Sequence, residues 1–326
     1  MTLAVLCSGQ GLQHPQMFSL TGNAEAAASA FAHATKLLGG RDPRELVRTD
    51  QASVLHGNRV AQILCVSQAL SAAAALRHVW PKQILLAGYS VGEISAWGVA
   101  ELFDSATTLD LVALRAELMD AASAPGDGLL FVRGLSRTSV DNLCRRYATA
   151  VAIVNPNDSF VLGGSGEALD TLAADAMEMG AARVTRIAVN VASHTVRFAA
   201  ASSAFQAALE KTPTKGKTSS RVRLLSGIDG TAVLDTAAGK SKLAEQISHT
   251  VEWADCLESC LEAGASAFLE LGPGAALSNM CASAYPHIPS RSLDDFRTIQ
   301  GVASWVTRLG LTSLVDESDP ALARPV

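Results

Sequence analysis

Gln83-Ile84-Leu85-Leu86-Ala87-Gly88-Tyr89-Ser90-Val91-Gly92-Glu93 is the stretch on which the fold turns. Its first half is a short apolar run of the kind buried on both faces of a parallel sheet. The second half is a Gly-x-Ser-x-Gly turn, and Glu93 to Val99 continues as a helix. Glycine on both sides of the serine lets backbone pass close to a sharp, strained turn, which leaves the hydroxyl at a helix N-terminus. Amide groups there can bind an oxyanion. Ser90 is therefore the candidate nucleophile.

Working outward, strand and helix patterns alternate, which predicts an α/β protein. Upstream lie an apolar strand, Leu3 to Cys7, a helix from Asn23 to Leu38, and a long alanine-rich helix from Arg59 to Trp80. Downstream, Asp104 to Ala122 is helical, and Ala124-Pro125-Gly126-Asp127-Gly128 marks a change of texture. From there to residue 191 the order is βαββαβ, a ferredoxin-like pattern. We read it as a small subdomain, 124–191, inserted into a large α/β-hydrolase-like subdomain, 1–123 and 192–326, whose parallel sheet carries the nucleophile elbow. A helix from Ser193 to Lys211, a strand from Val222 to Ser226, helices Leu243 to Ser248 and Ala254 to Ala263, and a strand from Ala267 to Leu271 complete the large part. The end, Ser318 to Val326, reads as frayed.

Composition narrows the function. Apolar residues make up 48% of the 326, charged residues 17%, and the net charge is −5. This disfavours nucleic acid and anionic membrane surfaces as partners. No apolar stretch approaches the roughly 18 residues of a membrane span. The N-terminus reads as a first strand, not a signal peptide. The six cysteines are scattered without a CxxC pair, so we expect no metal, no cofactor, and a reducing, cytoplasmic setting.

A serine nucleophile needs a base. His33 and His78 fall on helices as ordinary packing or surface residues, while His194, His249 and His287 are the contenders among the seven histidines. His194 sits where the chain leaves the small subdomain. Arg115 interrupts an apolar helical run and requires an anion, either Asp110 or Glu117 as a structural partner or the carboxylate of a substrate. Gly9-Gln10-Gly11 at the end of the first strand offers an amide to the same region, or is only a turn. A serine hydrolase would order its triad Ser90, Asp255, His287.

Together these segments resemble the malonyl-CoA:acyl carrier protein transacylase family over about residues 3 to 309. Gly9-Gln10-Gly11-Leu12-Gln13 is similar to its GQGxQ, and Gly88 to Glu93 to its GHSxGE. Leu114-Arg115 matches its helical arginine and Ala192-Ser193-His194 its subdomain-exit histidine. Gln246 with Val251-Glu252-Trp253 matches QxxxPVxW, and Glu270-Leu271-Gly272-Pro273-Gly274 the late GPG turn. The resemblance implies that Ser90 is acylated by malonyl-CoA with His194 as base. It further implies an oxyanion hole of the Gln10 and Val91 amides, Arg115 on the malonyl carboxylate, and a carbonyl near Gln246 orienting His194. An acyl carrier protein would receive the acyl group. Tyr89 in place of the family histidine, Cys7-Ser8 for Phe-Pro and His249-Thr250 for a late Asn- or Ser-Pro set the chain apart. A GYSVGE elbow resembles the transacylase (epsilon) subunit of malonate decarboxylase, whose acceptor is that enzyme's own carrier subunit. General fatty-acid and polyketide transacylases are the alternatives. Lys211, Lys215, Lys217, Arg221 and Arg223 are either a carrier-steering cluster or a solvated loop.

Overall fold

The computed structural model describes residues 2–216 and 218–310. Lys217 and the segment Ser318 to Val326 lie outside the described residues. Strands β1 (Thr2–Cys7), β2 (Ile84–Gly88), β7 (Val222–Leu224), β9 (Ala265–Glu270) and β10 (Ser290–Ser292) form one sheet. Its order is β10-β9-β1-β2-β7 and every pair is parallel. Residues 3 to 7 of β1 and all of β2 are buried, as continuous apolar runs require at the centre of such a sheet. The loops after β1, β2 and β9 are the Gln10, Ser90 and Gly272-Pro273-Gly274 segments. Parallel pairing therefore gathers three separate motifs at one edge of the sheet, the carboxyl edge at which open α/β sheets bind ligands.

The helix Asn58–Leu76, continued by a tighter turn Arg77–Val79, packs on the helices Gly92–Val99 and Ser105–Ala122. By length and composition alone this 22-residue stretch could cross a membrane, which the sequence reading above did not anticipate. In the fold 78% of its most apolar window is buried, so it is a core helix. Its many alanines let neighbouring backbones approach.

A second sheet contains β3 (Asp127–Arg133), β4 (Ala150–Asn155), β5 (Ser159–Ser165), β6 (Arg183–Ile187) and β8 (Val251–Glu252), in the order β6-β3-β5-β4-β8. The first four are antiparallel, with helices Arg137–Tyr147 and Gly166–Glu178 as connections. Period-2 alternation gives this sheet two faces. Leu130, Val132, Phe160 and Leu162 point to its own helices. Leu129 and Val161, with Ile153 on β4, belong to the core shared with the large part. An irregularity between Val151 and Ile153 turns β4 from one face to the other.

One expectation is corrected. The helix expected from Ser193 starts only at Ala199, after a tight turn at Val196–Phe198. His194 takes φ +61, which no helix accommodates. Val251–Glu252 leaves the large part and pairs in parallel with β4, so the second sheet is closed by a strand from outside 124–191.

Candidate active site

The elbow is fixed by crowding. A Cβ on Gly88 would lie 2.1 Å from the Gly92 carbonyl oxygen, and one on Gly92 would lie 2.1 Å from that of Cys7. Both positions therefore exclude every side chain. Between them Ser90 is held at φ +57, a conformation costing a non-glycine residue about 1–3 kcal/mol. The Tyr89 amide donates to the Cys7 carbonyl (3.0 Å), the Gly92 amide to that of Tyr89 (2.9 Å), and the helix begins.

The Ser90 hydroxyl donates to His194 Nε2 at 2.8 Å, across 104 residues of sequence. His194 Nδ1 donates to the Gln246 carbonyl at 2.6 Å, and the His194 amide donates to Ile247 at 2.8 Å. A carbonyl only accepts, so Nδ1 must carry the proton and Nε2 is left with its lone pair toward Ser90. Burial, then the nearby Arg115 cation, push the imidazole down to about 3 against the smaller upward pull of the Gln246 carbonyl. At neutral pH His194 is a neutral base.

The Gln10 loop lies against the elbow. A Cβ on Gly9 would meet the Tyr89 carbonyl oxygen at 3.1 Å and Ser90 Cβ at 3.7 Å. Gln13 fixes the loop by accepting from the Gly11 amide at 2.5 Å and donating to the Leu55 carbonyl at 3.1 Å. Among the described residues the Gln10 and Val91 amides donate to no protein acceptor.

Arg115, on the helix Ser105–Ala122, is 1% exposed. Its Nη1 donates to Gln62 Oε1 at 2.7 Å, and its buried Nη2 has no partner among the described residues. The structural ion pair weighed from sequence is not formed: Asp110 accepts from His33 at 2.7 Å and Glu117 from Arg59 at 3.1 Å. Burial pulls the guanidinium down to about 10 against the Glu93 charge, so it stays cationic at neutral pH. A buried cation with an empty donor is a seat for an anion. Ser90, His194 and Arg115 line one cavity, whose remaining wall includes Leu129, Ile153, Val161 and Ile187.

Other candidates disperse. His14 pairs with Asp294 at 2.8 Å, His249 is exposed with Nδ1 3.0 Å from the Glu245 carbonyl, and Asp255 and His287 are exposed. The triad Ser90, Asp255, His287 is not assembled, because His194 fills the place beside Ser90. Arg221 and Arg223 of the basic cluster lie far from the cavity. Arg221 and Arg223 flank Val222, which pairs with Ile84 at the start of β2, whereas Ser90 follows the end of that strand. At about 3.3 Å per residue they lie roughly 20 Å away, at the opposite sheet edge. All six cysteines are free and buried, and among the described residues no cluster could hold a metal ion. Sequence reading missed Gln62 and Asn58, whose Oδ1 accepts from Gln62 Nε2 at 2.7 Å. Their signal was a pair of amide side chains four residues apart on a buried helix, the spacing of facing side chains.

The family model for an acyl transferase domain matches residues 5–300. The malonyl CoA-acyl carrier protein transacylase of Mycobacterium bovis is 30% identical over 299 residues, covering 89% of this chain and 96% of the relative. The solved malonyl transacylase of Mycobacterium tuberculosis superposes with TM-score 0.81 at 29% identity, over 90% of this chain and 96% of that one. A malonyl-transacylase solved with its type II polyketide acyl-carrier protein gives TM-score 0.85 at 25% identity, over 95% and 99%. This chain belongs to the acyl transferase domain family.

Proposed function

We propose that the protein is a malonyl-CoA:acyl carrier protein S-malonyltransferase. The observation that carries the reading is Arg115: a buried guanidinium with an unfilled Nη2, on the same cavity as a serine bonded to a neutral histidine. An acyl group bearing a free carboxylate satisfies both ends of that cavity at once.

Ser90 Oγ attacks the thioester carbonyl as His194 Nε2 takes its proton, and the Gln10 and Val91 amides hold the oxyanion. The Gln246 carbonyl keeps the imidazolium in place through Nδ1–H. Collapse breaks the C–S bond, His194 returns the proton to the departing thiolate, and CoA leaves. The thiol of the carrier's pantetheine arm then gives its proton to His194 and attacks the malonyl-Ser90 ester by the same path in reverse. Arg115 holds the carboxylate throughout.

For the acceptor, the relatives named above support a general acyl carrier protein of fatty-acid or polyketide assembly. The carrier subunit of malonate decarboxylase is the second reading, and it rests on Tyr89 in the GYSVGE elbow. Tyr89 packs edge-on against Trp253 with centroids 5.3 Å apart. We also read the chain as two subdomains, hydrolase-like up to residue 123 and from 192, and ferredoxin-like over 124–191. The free, buried thiols support a cytoplasmic setting.

The test is intact-protein mass spectrometry after exposure to malonyl-CoA. A stable malonyl adduct on the wild type, lost in Ser90→Ala, and its transfer to a holo carrier protein are expected. Label on Ser90→Ala at the wild-type level removes the nucleophile, and rapid release as free malonate makes the enzyme a hydrolase. Transfer only to the malonate decarboxylase carrier selects the second reading.

A further inference from the structure

One buried carboxylate has no part in these steps. Glu93 is 0% exposed on the first turn of the helix Gly92–Val99. Its Oε2 accepts a short hydrogen bond from Gln246 Nε2, and its Oε1 accepts from the Ser226 hydroxyl at 3.2 Å. A Cβ on Gly227 would lie 2.7 Å from Glu93 Oε2 and 3.2 Å from Gln246 Nε2, so the backbone there is pressed against the pair. Gln246 is thus held at both ends: its side chain is bound by Glu93 and its main-chain carbonyl binds His194. The Glu93 amide donates to the Ser90 carbonyl at 3.0 Å, which closes a ring of contacts: serine, histidine, glutamine, glutamate and back to serine.

We propose that Glu93 is a positioning residue for the base, fixing through the Gln246 side chain the carbonyl that orients His194. In a Ser-His-Asp triad the acid bonds the histidine directly. Here a neutral carbonyl does so, and the acid stands one residue behind it, on the same turn as the nucleophile. The ring sets the distance between base and nucleophile from a single rigid segment. The proposal deepens the acyl-transfer reading and rests on it for the role of His194.

The charged and titratable groups around Glu93 are Arg115, Asp229 and the Cys256 thiol, with Gln246, Ser226 and the Gly227 amide as hydrogen-bond partners. Burial, helped by the Asp229 charge, raises the carboxyl to about 7 against those hydrogen bonds. The carboxylate that accepts from Gln246 is therefore present above that pH and is lost below it. His194, pushed down to about 3, does not titrate in that window.

Glu93→Gln keeps the volume and replaces one acceptor oxygen with an amino group facing donors. The rate of Ser90 modification should fall about 10- to 100-fold, the scale of a displaced catalytic group, while KM for malonyl-CoA stays within about twofold because Glu93 does not line the cavity. The fall of wild-type rate as pH drops through about 7 should vanish in the variant. Labelling by a fluorophosphonate, read by intact mass, measures Ser90 reactivity without malonyl-CoA. Wild type labelled by the fluorophosphonate but not by malonyl-CoA breaks the transferase reading and leaves the Glu93 reading measurable. Gln246→Met keeps the carbonyl and removes the amide. It should lose a similar factor, and the double variant should be no slower than either single. Glu93→Gln labelling at the wild-type rate with the wild-type pH profile overturns the proposal, as does a double variant whose loss is the product of the two. If Glu93→Gln does not fold, Gln246→Met carries the test, and a wild-type rate there overturns it.

Discussion

In the parallel half, Glu93, Arg115, His194 and Glu270 are each no more than 1% exposed, and each is hydrogen-bonded to a buried partner. In the antiparallel half, the core beneath the two helices is Leu130, Val132, Val140, Leu143, Leu162 and Leu172. Its ion pairs Arg137 with Asp141 and Arg186 with Asp170 lie at the surface, where such pairs are worth about 0–1 kcal/mol. Among the described residues its one buried carboxylate on a strand, Asp127 at the start of β3, is paired with Arg197 at 2.9 Å. The two halves meet at the cavity. One supplies nucleophile, base and cation, and the other contributes Leu129, Ile153, Val161 and Ile187 as an apolar ceiling. Chemistry and shape are therefore assigned to different sheets. A desolvated site makes each charge on the parallel side count for more.

The division breaks most visibly at His194. His194→Ala removes the only side chain hydrogen-bonded to Ser90 Oγ among the described residues. Acylation by malonyl-CoA should fall by about 10²–10⁴, the usual range for loss of a general base. His287→Ala should leave the rate unchanged. Stopped-flow release of CoA checks both, and the reverse pattern would return the protein to the hydrolase order.

Arg115 comes next. A neutral acetyl group leaves the buried guanidinium without its anion. Loss of a charge-assisted hydrogen bond, about 1.5–3 kcal/mol, together with an unpaired charge gives malonyl over acetyl a preference of at least about 10². Arg115→Ala should lower kcat/KM for malonyl-CoA sharply and leave that for acetyl-CoA equal or higher. Lysine should rescue in part, since it keeps the charge and loses the fork. An unchanged ratio would make Arg115 structural.

Glu270 tests whether the parallel half carries a stability cost for its buried charge. Its Oε1 accepts from the Ser8 hydroxyl at 2.7 Å and its Oε2 from the Ser278 amide at 2.8 Å, joining the first loop to the helix Ala276–Ala284. Burial raises its carboxyl from 4.5 to about 7. A raised folded-state value means that the contribution is complete below the unfolded value and is lost as pH rises through the folded one. Wild-type unfolding free energy should therefore fall relative to Glu270→Gln between pH 4.5 and about 7, by an amount on the order of 3 kcal/mol. Glu93 and His194 titrate alike in both proteins and cancel. Urea melts across this range check the slope, and parallel pH profiles would show that the Glu270 carboxyl is not raised.

The elbow was legible because it is a local pattern tied to one physical need, whereas the residues alone left His194 beside His249 and His287, and Arg115 between an ion pair and a substrate, until the family resemblance singled them out. The positions of helix starts near the site were not legible. Ser193 to Thr195 has nothing that forbids helix, and the turn at His194 is held by the hydrogen bond its N–H donates to the Ile247 carbonyl, a partner 53 residues away. The Glu93–Gln246 contact spans 153 residues and leaves no periodic trace. The two readings of the basic cluster stayed open because composition gives charge without giving the sheet edge on which Arg221 and Arg223 fall. The βαββαβ order could be read from alternation, but the added strand Val251–Glu252 is too short to announce itself.

The smallest expected effect lies in the ceiling. Ile153 follows the irregularity in β4, is 3% exposed and lines the cavity with no polar atom to offer. Ile153→Val removes one methyl group, which costs about 0.5–1.5 kcal/mol of stability through lost packing and a small void. In the proposed mechanism no charge develops against that wall, because it places the oxyanion beside Gln10 and Val91 and the carboxylate at Arg115. The substitution should therefore act on ground state and transition state alike. It should move KM for malonyl-CoA by less than about threefold and leave kcat for acylation unchanged, the signature of uniform binding. Single-turnover acylation at varied malonyl-CoA, beside a urea melt of the same variant, measures both. If kcat falls tenfold or more while the protein remains folded, the ceiling takes part in positioning the reacting carbonyl, and the separation of shape from chemistry between the two sheets fails at the strand where they meet.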